Sequence, residues 1–291
     1  INPHYLDPVK NSKHMGESRE TRIKEFHVLN NQKVIGLREG SFLSVENNDI
    51  ILKGQKQAVA FKKDENIICT GFRVGEAFFG GFSQYAKVNS DFLVKIPKDL
   101  NTLKAMKMGT AGLTALLCAF AVKAKEELLM QRKVNDVLVT GSTGGVGMVA
   151  VMVLSKMGMN VTAITGKPDK AEYLKELGAK TVIDRKEFEG EARIIDKGTW
   201  DGVVDTVGGN ILSNAIAQTK PKGIVAICGN TSGNKLNTSV IPFILRAVKL
   251  WGVDSVNISK KRKEFVWGEF PELINFEILE KAIKEISLIE L

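Results

Sequence analysis

The stretch VLVTGSTGGVGMVAVMVLSKMG, residues 137–158, decides how the rest of the chain is interpreted. Its apolar opening leads into four glycines at Gly141, Gly144, Gly145 and Gly147, and an apolar run of helical character follows them. Glycine weakens regular structure because it loses more backbone freedom on folding than other residues do. The crowding of glycines between a strand and a helix therefore indicates that something else needs a bare backbone there.

Strands and helices alternate from this stretch onward. The strands are short and rich in Val and Ile: they read DVLVTG, NVTAIT, TVID, DGVVDTV and GIVAICG, with helices predicted over 145–157, 168–177 and 210–219. Upstream, TLKAMKMGTAGLTALLCAFAV (102–122) predicts a buried helix that is broken or bent near Gly109 and Gly112. Alternation at this spacing predicts an α/β fold, a Rossmann doubly wound parallel sheet with helices on both faces.

In that frame the glycines match a dinucleotide fingerprint, aligned on its last glycine as Ser142-x-Gly144-x-x-Gly147. Serine replaces the first glycine of the pattern. Gly144 lets the backbone approach a pyrophosphate, Gly147 lets the helix pack on the strand, and the helix N-terminus offers N–H groups to phosphates. The alternative is a tight turn between strand and helix that binds no ligand.

The tip of the second strand indicates which dinucleotide binds. NAD-binding units place an Asp or Glu about 20 residues after the fingerprint to hold the ribose 2′-hydroxyl, whereas this strand ends in Thr165-Gly166-Lys167. A hydroxyl, a backbone N–H and a cation suit a 2′-phosphate. Asp169 follows Pro168, so we interpret it as a residue of a helix N-terminus. The expected cofactor is NADP(H).

Composition bounds the class of protein. With 291 residues, 44% hydrophobic and 25% charged, the chain is typical of a globular protein. We expect it to be cytoplasmic, because its three cysteines lie far apart and no secretion signal is evident. No membrane association is expected, since no apolar run approaches the roughly 18 residues of a membrane span. All three histidines lie in the first 27 residues, so no metal site is expected.

The formal charge of +8 admits nucleic acid as well as anionic small molecules as partners. The basic cluster SKKRKEF at 259–265 is interpreted as a solvated helix start, with a nucleic-acid patch as the alternative. Recognised nucleic-acid motifs and stacking aromatics are not evident around it. Nucleic acid is therefore the less favoured partner.

Several motifs, taken together and in order, resemble a known family. TGSTGGVG, AITGKPDKAEYLKELGAKTVIDRKEF, DGVVDTVGG, AICGN and PFILRAVKLWGVDS resemble the zinc-free quinone-oxidoreductase branch of the medium-chain dehydrogenase/reductase superfamily. Within that branch they most resemble the acryloyl-CoA reductase subfamily. CTGFRVGEAFFGGFSQYAKVNSDFLVKIP is similar to the last strands of its catalytic domain, and GTAGLTA to its interdomain helix. The resemblance runs from about residue 66 to residue 291.

The resemblance implies a division of the chain. Residues 1–109 are expected to form a GroES-like β-barrel catalytic domain, 110–256 the NADP-binding Rossmann domain, and 257–291 a segment that returns toward the catalytic domain. Residues 1–60 depart from the family, because they lack its barrel strands and its Asn-Tyr-Lys-Asp and Pro-Gly-Ile-Asp segments. SFLSVENNDIILKG in that region predicts a hairpin turning at Asn47-Asn48-Asp49. The barrel is thus expected to be incomplete, and the catalytic residues stay unknown.

The resemblance also assigns cofactor-binding residues by position. The pyrophosphate loop is matched by Thr143, Gly144, Gly145 and Val146. The 2′-phosphate clamp, where relatives often have Ser-Gly-Arg, is matched by Thr165, Gly166 and Lys167. Arg185 matches a contact near the adenine end, with an ordinary surface arginine as the alternative.

Four more residues are assigned to the nicotinamide half of the cofactor. Cys228, Gly229 and Asn230 match the strand tip that meets this half. Cys228 is alternatively a small buried hydrophobe, or a reactive thiol. Thr110 either contacts the nicotinamide or caps a helix.

The function that the resemblance implies is a zinc-independent, NADPH-dependent oxidoreductase. It would transfer a hydride to an activated C=C of a small-molecule substrate, with acryloyl-CoA reduced to propanoyl-CoA as the specific case. Two alternatives stay open. One is a quinone or alkenal reductase of the same branch, and the other is a non-catalytic NADPH-binding or RNA-binding protein.

A homodimer is also expected. VKLWGVDSV (248–256) predicts an apolar strand at the edge of the sheet, and such an edge needs cover. The resemblance implies pairing of two such strands across a two-fold axis. The alternative is a strand covered by the C-terminal helix of its own chain.

Overall fold

The computed structural model describes residues 18–37, 41–46, 49–54, 59–61, 66–81, 86, 88–129 and 133–286. The chain divides into two compact units, residues 1–66 and 67–291. The second unit contains all the predicted strands and helices of the α/β alternation. The predicted domain boundaries at 109 and 256 stay predictions.

The first unit contains, in its described part, one helix and two small sheets. α1 (Arg19–Leu29) begins after Ser18, whose side chain accepts a hydrogen bond from the N–H of Thr21, as an N-cap does. β1 (Val34–Gly36) pairs antiparallel with β4 (Val59–Phe61).

The predicted hairpin is confirmed in this unit. β2 (Ser41–Glu46) pairs antiparallel with β3 (Asp49–Gly54), and Glu46 lies opposite Asp49. Asn47 and Asn48, the first two residues of the predicted turn, lie outside the described residues. The third, Asp49, begins the second strand.

The second unit opens with an antiparallel pair and a long helix. β5 (Ile67–Cys69) pairs antiparallel with β6 (Leu93–Lys95). Residues 82–85 and 87, which lie between these strands in the segment that resembles the end of the catalytic domain, are outside the described residues. α2 (Thr102–Leu129) is broken at Gly109, where φ is 48° and ψ is −147°. The predicted break falls there because glycine tolerates a positive φ that other residues rarely adopt.

Six parallel strands form the central sheet of this unit. They are β7 (Asp136–Val139), β8 (Asn160–Thr165), β9 (Ala179–Asp184), β10 (Trp200–Asp205), β11 (Thr219–Ile227) and β12 (Lys249–Gly252). Their spatial order is β12-β11-β10-β7-β8-β9, and every neighbouring pair is parallel. This order is that of a doubly wound dinucleotide-binding fold, so the predicted Rossmann sheet is confirmed. The order reverses between β7 and β10, and ligands bind such folds in the crevice at that point.

Helices cover both faces of the sheet. Those in and after the alternation are α3 (Gly145–Lys156), α4 (Ala171–Glu176), α5 (Gly209–Ala217), α6 (Ile241–Arg246), α7 (Lys260–Leu273) and α8 (Phe276–Leu279). One core lies between the sheet and α2, α3 and α7, and another lies under α5. Along β7, Val137 and Val139 enter the first core and Leu138 enters the second. Burial on both faces explains the continuous apolar strands.

The helix α2 corrects the expectation that no apolar run is long enough for a membrane span. Its residues Thr102–Ala124 are long and apolar enough to cross a membrane by length and composition alone. However, 67% of this apolar window is buried inside the protein, and Leu113 and Leu116 have no exposed surface. The apolar side chains of α2 therefore build the core.

Three shorter predictions are corrected. The helix predicted over 168–177 is a 3₁₀ turn at Pro168–Lys170 followed by α4. The strand predicted over 248–256 spans only Lys249–Gly252. The basic cluster at 259–265 does start a helix, capped by the Ser259 side chain, but Lys263 is fully buried and not solvated.

Candidate dinucleotide-binding site

A groove of about 520 Å³ lies at the carboxyl ends of β7, β8 and β10. Its walls are the glycine turn after β7, the tip of β8 and the turn after β10. Eight of the predicted cofactor-binding residues line it: Thr143, Gly144, Gly145, Val146, Thr165, Gly166, Lys167 and Arg185. The groove therefore coincides with the crevice at which the strand order reverses.

The glycine turn brings backbone N–H groups to this groove. α3 begins at Gly145 with Gly144 before it, and no side chain caps its N-terminus, so its first N–H groups point out of the helix end. A Cβ on Gly147 would lie 2.7 Å from Cα of Ser142 and closer still to the carbonyl oxygen of Gly141. Only glycine thus lets α3 pack this closely on the turn, and its N-terminus suits an anion.

Hydroxyl groups join the tip of β8 to the glycine turn. Oγ1 of Thr143 and Oγ1 of Thr165 lie 3.3 Å apart, and the N–H of Lys167 donates to Thr165 Oγ1 at 3.0 Å. Thr165 is buried, whereas Lys167 is exposed. The threonine is held in place, and the lysine presents its charge at the surface of the groove.

Two further cations near this tip were missed by the sequence analysis. A cavity of about 470 Å³ adjoins the groove through Thr143 and Lys167, and Lys170 and Lys281 also line it. Lys170 lies in the 3₁₀ turn that directly follows the tip, so its position in the sequence was an available signal. Lys281 lies beyond α8 and pairs with Glu176, so only the tertiary fold brings it here.

Arg185 passes directly over Gly166. A Cβ on Gly166 would lie 2.7 Å from Cδ of Arg185 and 2.8 Å from its Nε. Nε also pairs with Oε1 of Glu189 at 2.8 Å. Arg185 lines both the groove and a neighbouring cavity of about 570 Å³. The Arg185 side chain thus lies against Gly166, and a larger residue at position 166 would displace it.

Three of the remaining predicted residues line a separate cavity. Cys228, Gly229 and Asn230 border about 550 Å³ of space together with residues 252–254. A hydrogen bond with Cys118 lowers the pKa of the Cys228 thiol, and burial opposes this shift. Cys228 also packs against the first core. Its position is compatible with each of the roles considered for it.

Thr110 is not among the residues that line the groove or this separate cavity. It is exposed and follows the break at Gly109, and its carbonyl oxygen accepts a hydrogen bond from Thr114 Oγ1 at 2.8 Å. The next residue, Ala111, has its Cβ 3.2 Å from where a Cβ on Gly145 would lie. The residue that follows Thr110 thus lies close to Gly145 in space, and contact of Thr110 with the cofactor stays a prediction.

Potential metal ligands are dispersed in the part of the chain that the structure describes. No group of three or more His, Cys, Asp or Glu side chains there could hold a metal ion. His4 and His14 lie outside that part. The absence of a metal site therefore stays a prediction.

The strand order, the crevice and the glycine turn define the class of this protein: a Rossmann-type dinucleotide-binding protein. Residues 145–276 match the family described as zinc-binding dehydrogenase. The chain is 42% identical over 230 residues to the probable acrylyl-CoA reductase AcuI of Escherichia coli, a match that covers 79% of this chain and 70% of the relative. It is 39% identical over 232 residues to the putative quinone oxidoreductase YhfP of Bacillus subtilis, covering 79% and 69%. The chain belongs to the medium-chain dehydrogenase/reductase superfamily, as predicted.

A solved structure agrees with this membership. E. coli YhdH with bound NADPH matches with a TM-score of 0.73 and 38% identity, covering 86% of this chain and 74% of that one. NADPH is therefore a ligand of a protein that shares this fold over most of its length.

The beginning of the chain matches another family. Residues 1–53 match Peptidase family S51. A stretch of 63 residues, 22% of this chain, is 51% identical to Peptidase E of Streptomyces coelicolor and covers 26% of that protein. The segment that was predicted to depart from the reductase family thus resembles part of a peptidase family.

Proposed function

We propose that the chain is a zinc-independent, NADPH-dependent reductase that adds a hydride to a C=C conjugated to a carbonyl, and that it reduces acrylyl-CoA to propanoyl-CoA. The observation that carries the proposal is the groove in which the glycine turn and residues 165–167 face one space. The relatives support it, because one is named a probable acrylyl-CoA reductase and a similar structure holds NADPH.

The groove fits the phosphates of NADPH. The turn after β7 has no side chains at Gly144 and Gly145, so the pyrophosphate can approach the N-terminus of α3. For the 2′-phosphate we assign Thr165, Gly166 and Lys167. When bound, NADPH supplies the hydride.

The charges around the tip of β8 favour NADPH over NADH. The strand ends in a threonine where NAD-binding units have an acid. Asp169, the acid nearest in the chain, lies 3.6 Å from the ammonium of Lys170. Its charge is partly balanced by that pair, so repulsion of a 2′-phosphate is reduced.

We assign the nicotinamide half and the reacting C=C to the cavity lined by Cys228, Gly229 and Asn230. Reduction of a conjugated C=C builds negative charge on the carbonyl oxygen, which needs fixed hydrogen-bond donors, and it needs both reactants held close together. The formal charge of +8 favours an acyl-CoA, because CoA carries several phosphate charges. We assign no catalytic residue.

Zinc independence rests on the ligands available. A catalytic zinc takes three protein ligands, and the described residues do not bring together three suitable side chains. The three cysteines are free thiols at Cys69, Cys118 and Cys228, which is compatible with the reducing cytoplasm that we propose as the location.

A homodimer that pairs β12 across a two-fold axis belongs to the same proposal. β12 is the edge strand of the sheet, and Leu250 and Trp251 on it are exposed. Ile244 and Leu245 of the preceding α6 are exposed as well. An exposed apolar edge of this kind is a surface that a second copy can cover.

Reduction of quinones is the second candidate function, and the 39% identity to a putative quinone oxidoreductase favours it. Steady-state oxidation of NADPH by the full chain separates the two, with acrylyl-CoA, a quinone and an alkenal compared as acceptors. We expect the highest kcat/KM for acrylyl-CoA. A higher value for the quinone would replace the first function by the second, and no NADPH oxidation with any acceptor would contradict both.

A further inference from the structure

The end of β10 carries a buried carboxylate that the proposed function does not use. Asp205 has no exposed surface, and no lysine or arginine of the described residues pairs with it. Its oxygens accept hydrogen bonds from the Thr140 hydroxyl at 2.7 Å and from the N–H of Gly208 at 2.8 Å. Burial raises the pKa of Asp205, and these hydrogen bonds oppose the rise. A carboxylate without a cation is costly to bury, so its presence calls for a reason.

Thr140 connects this carboxylate to Thr206, the first residue after β10. The Thr140 hydroxyl donates to Asp205 and accepts from the N–H of Thr206 at 3.1 Å. The hydroxyl of Thr206 donates in turn to the carbonyl oxygen of Thr140 at 2.9 Å. Thr140, like Asp205, has no exposed surface. The ends of β7 and β10 are thus fastened by a closed set of hydrogen bonds.

The fastened ends lead directly into two walls of the groove. Gly141 follows Thr140, and Thr206 and Val207 follow Asp205; all three line the groove. A Cβ on Gly141 would lie 2.8 Å from Cγ1 of Val207 and would overlap the hydroxyl of Thr206. The two turns therefore touch beside the groove, and the hydrogen bonds among Thr140, Asp205 and Thr206 lie next to this contact.

We infer that Asp205 and Thr140 are positioning residues for the dinucleotide, which hold the turn after β7 and the turn after β10 at the separation that the cofactor needs. They act through Gly141, Thr206 and Val207 without touching the ligand. This inference rests on the proposed function. The 2′-phosphate, which only NADP carries, is assigned to the tip of β8. The inference therefore predicts an equal loss of affinity for NADP and NAD when Thr140 or Asp205 is changed.

Titration calorimetry of the full chain with NADP⁺ and NAD⁺ tests the inference. Thr140→Val removes the hydroxyl at nearly constant volume, and Thr140→Ser keeps it. Thr219→Val is the matched control. The Thr219 hydroxyl is equally buried and donates to the carbonyl oxygen of Ala215 at 2.7 Å, and Thr219 lies at the amino end of β11, away from the groove. We expect Thr140→Val to weaken the binding of both cofactors about tenfold, because a residue that does not touch the ligand can still alter its affinity through the turns that it holds. Thr140→Ser and Thr219→Val should leave both affinities within about twofold.

A purely structural role gives a different pattern. In that case Thr140→Val lowers the unfolding temperature, as Thr219→Val does, while the folded fraction binds with unchanged affinity; this result overturns the inference. A loss confined to NADP⁺ also overturns it. Asp205→Asn, which turns one acceptor into a donor, should weaken binding like Thr140→Val and serves if the valine variant fails to fold. Failure of the wild-type chain to bind either cofactor contradicts the proposed function itself.

Discussion

The ammonium nitrogen of Lys263 lies 3.5 Å from the centre of the Phe72 ring, inside the protein. It also donates hydrogen bonds to the carbonyl oxygens of Thr70 and Val256. No part of Lys263 is exposed. Burial lowers its pKa to about 8, and Cys69 and Asp254 partly oppose this shift. A lysine from the basic cluster thus fastens the segment after β5 to α7.

Lys263 predicts a rise in stability with pH above pH 8. Between about pH 8 and pH 10.4 the unfolded chain holds the lysine proton more tightly than the folded chain does, so the free energy of unfolding increases across this window. We expect a gain of about 1–3 kcal/mol for the wild type. It should be absent in Lys263→Met.

Urea unfolding from pH 7.5 to 10 measures this difference. Trp200, Trp251 and Trp267 all lie in the second unit, so tryptophan fluorescence reports its unfolding. Cys69, whose thiol pKa burial raises, is replaced by Ala in both proteins so that its titration does not contribute. Parallel pH curves for the two proteins would contradict the buried, charged lysine.

Cofactor choice is predicted to depend on Lys167. Lys167→Glu replaces an attraction to the 2′-phosphate by a repulsion. The binding of NADPH should therefore weaken by about 1.5–3 kcal/mol, while the affinity for NADH changes little. Lys197→Glu makes the same change of charge just before β10, at the amino ends of the strands, and should alter the affinity for neither cofactor. Equal losses for the two cofactors in a fluorescence titration would show that the clamp assignment is wrong.

The close packing at Gly147 predicts that a single methyl group is not tolerated. Gly147→Ala places a Cβ against the backbone of residues 141 and 142, and we expect about 1–3 kcal/mol of destabilisation together with weaker NADPH binding. Gly190→Ala is the control, because a Cβ there meets nothing within 4 Å. Urea unfolding should separate the two variants, and similar stabilities would contradict the packing at the turn.

The edge strand β12 predicts a homodimer in light scattering at micromolar concentration. Leu250→Asp and Trp251→Asp should convert it to a monomer, because each places a charge in an apolar interface. Ile194→Asp changes an exposed apolar residue outside β12 and should leave the mass unchanged. A monomer mass for the wild type would contradict the proposed dimer. A dimer mass for both variants would show that the interface does not include β12.

The sheet could be predicted from the sequence because its signals are local. Continuous apolar strands and the glycine turn at residues 141–147 depend on neighbours in the chain, and both are confirmed in position. The start of the helix predicted at residue 168 was wrong, because Pro168 begins a 3₁₀ turn and α4 begins only after it.

The rest depends on contacts between distant segments. Lys263 belongs to a basic cluster whose composition is typical of a solvent-exposed surface. Its burial is stabilised by the Phe72 ring and by the carbonyl oxygens of Thr70 and Val256. Arg185 packs over Gly166, and Lys281 lines the same cavity as Lys167. Both arrangements depend on the tertiary fold and on side-chain conformation. No pattern of apolar periodicity records such paths.

Transfer of deuterium tests the central claim most directly. The full chain is mixed with acrylyl-CoA and with NADPH that carries deuterium at its transferable position, and the product is analysed by mass spectrometry. Hydride addition to the conjugated C=C predicts propanoyl-CoA with one deuterium on the β-carbon, while the α-carbon takes its proton from water. Propanoyl-CoA without deuterium, or bound NADPH and unchanged acrylyl-CoA, would contradict the account.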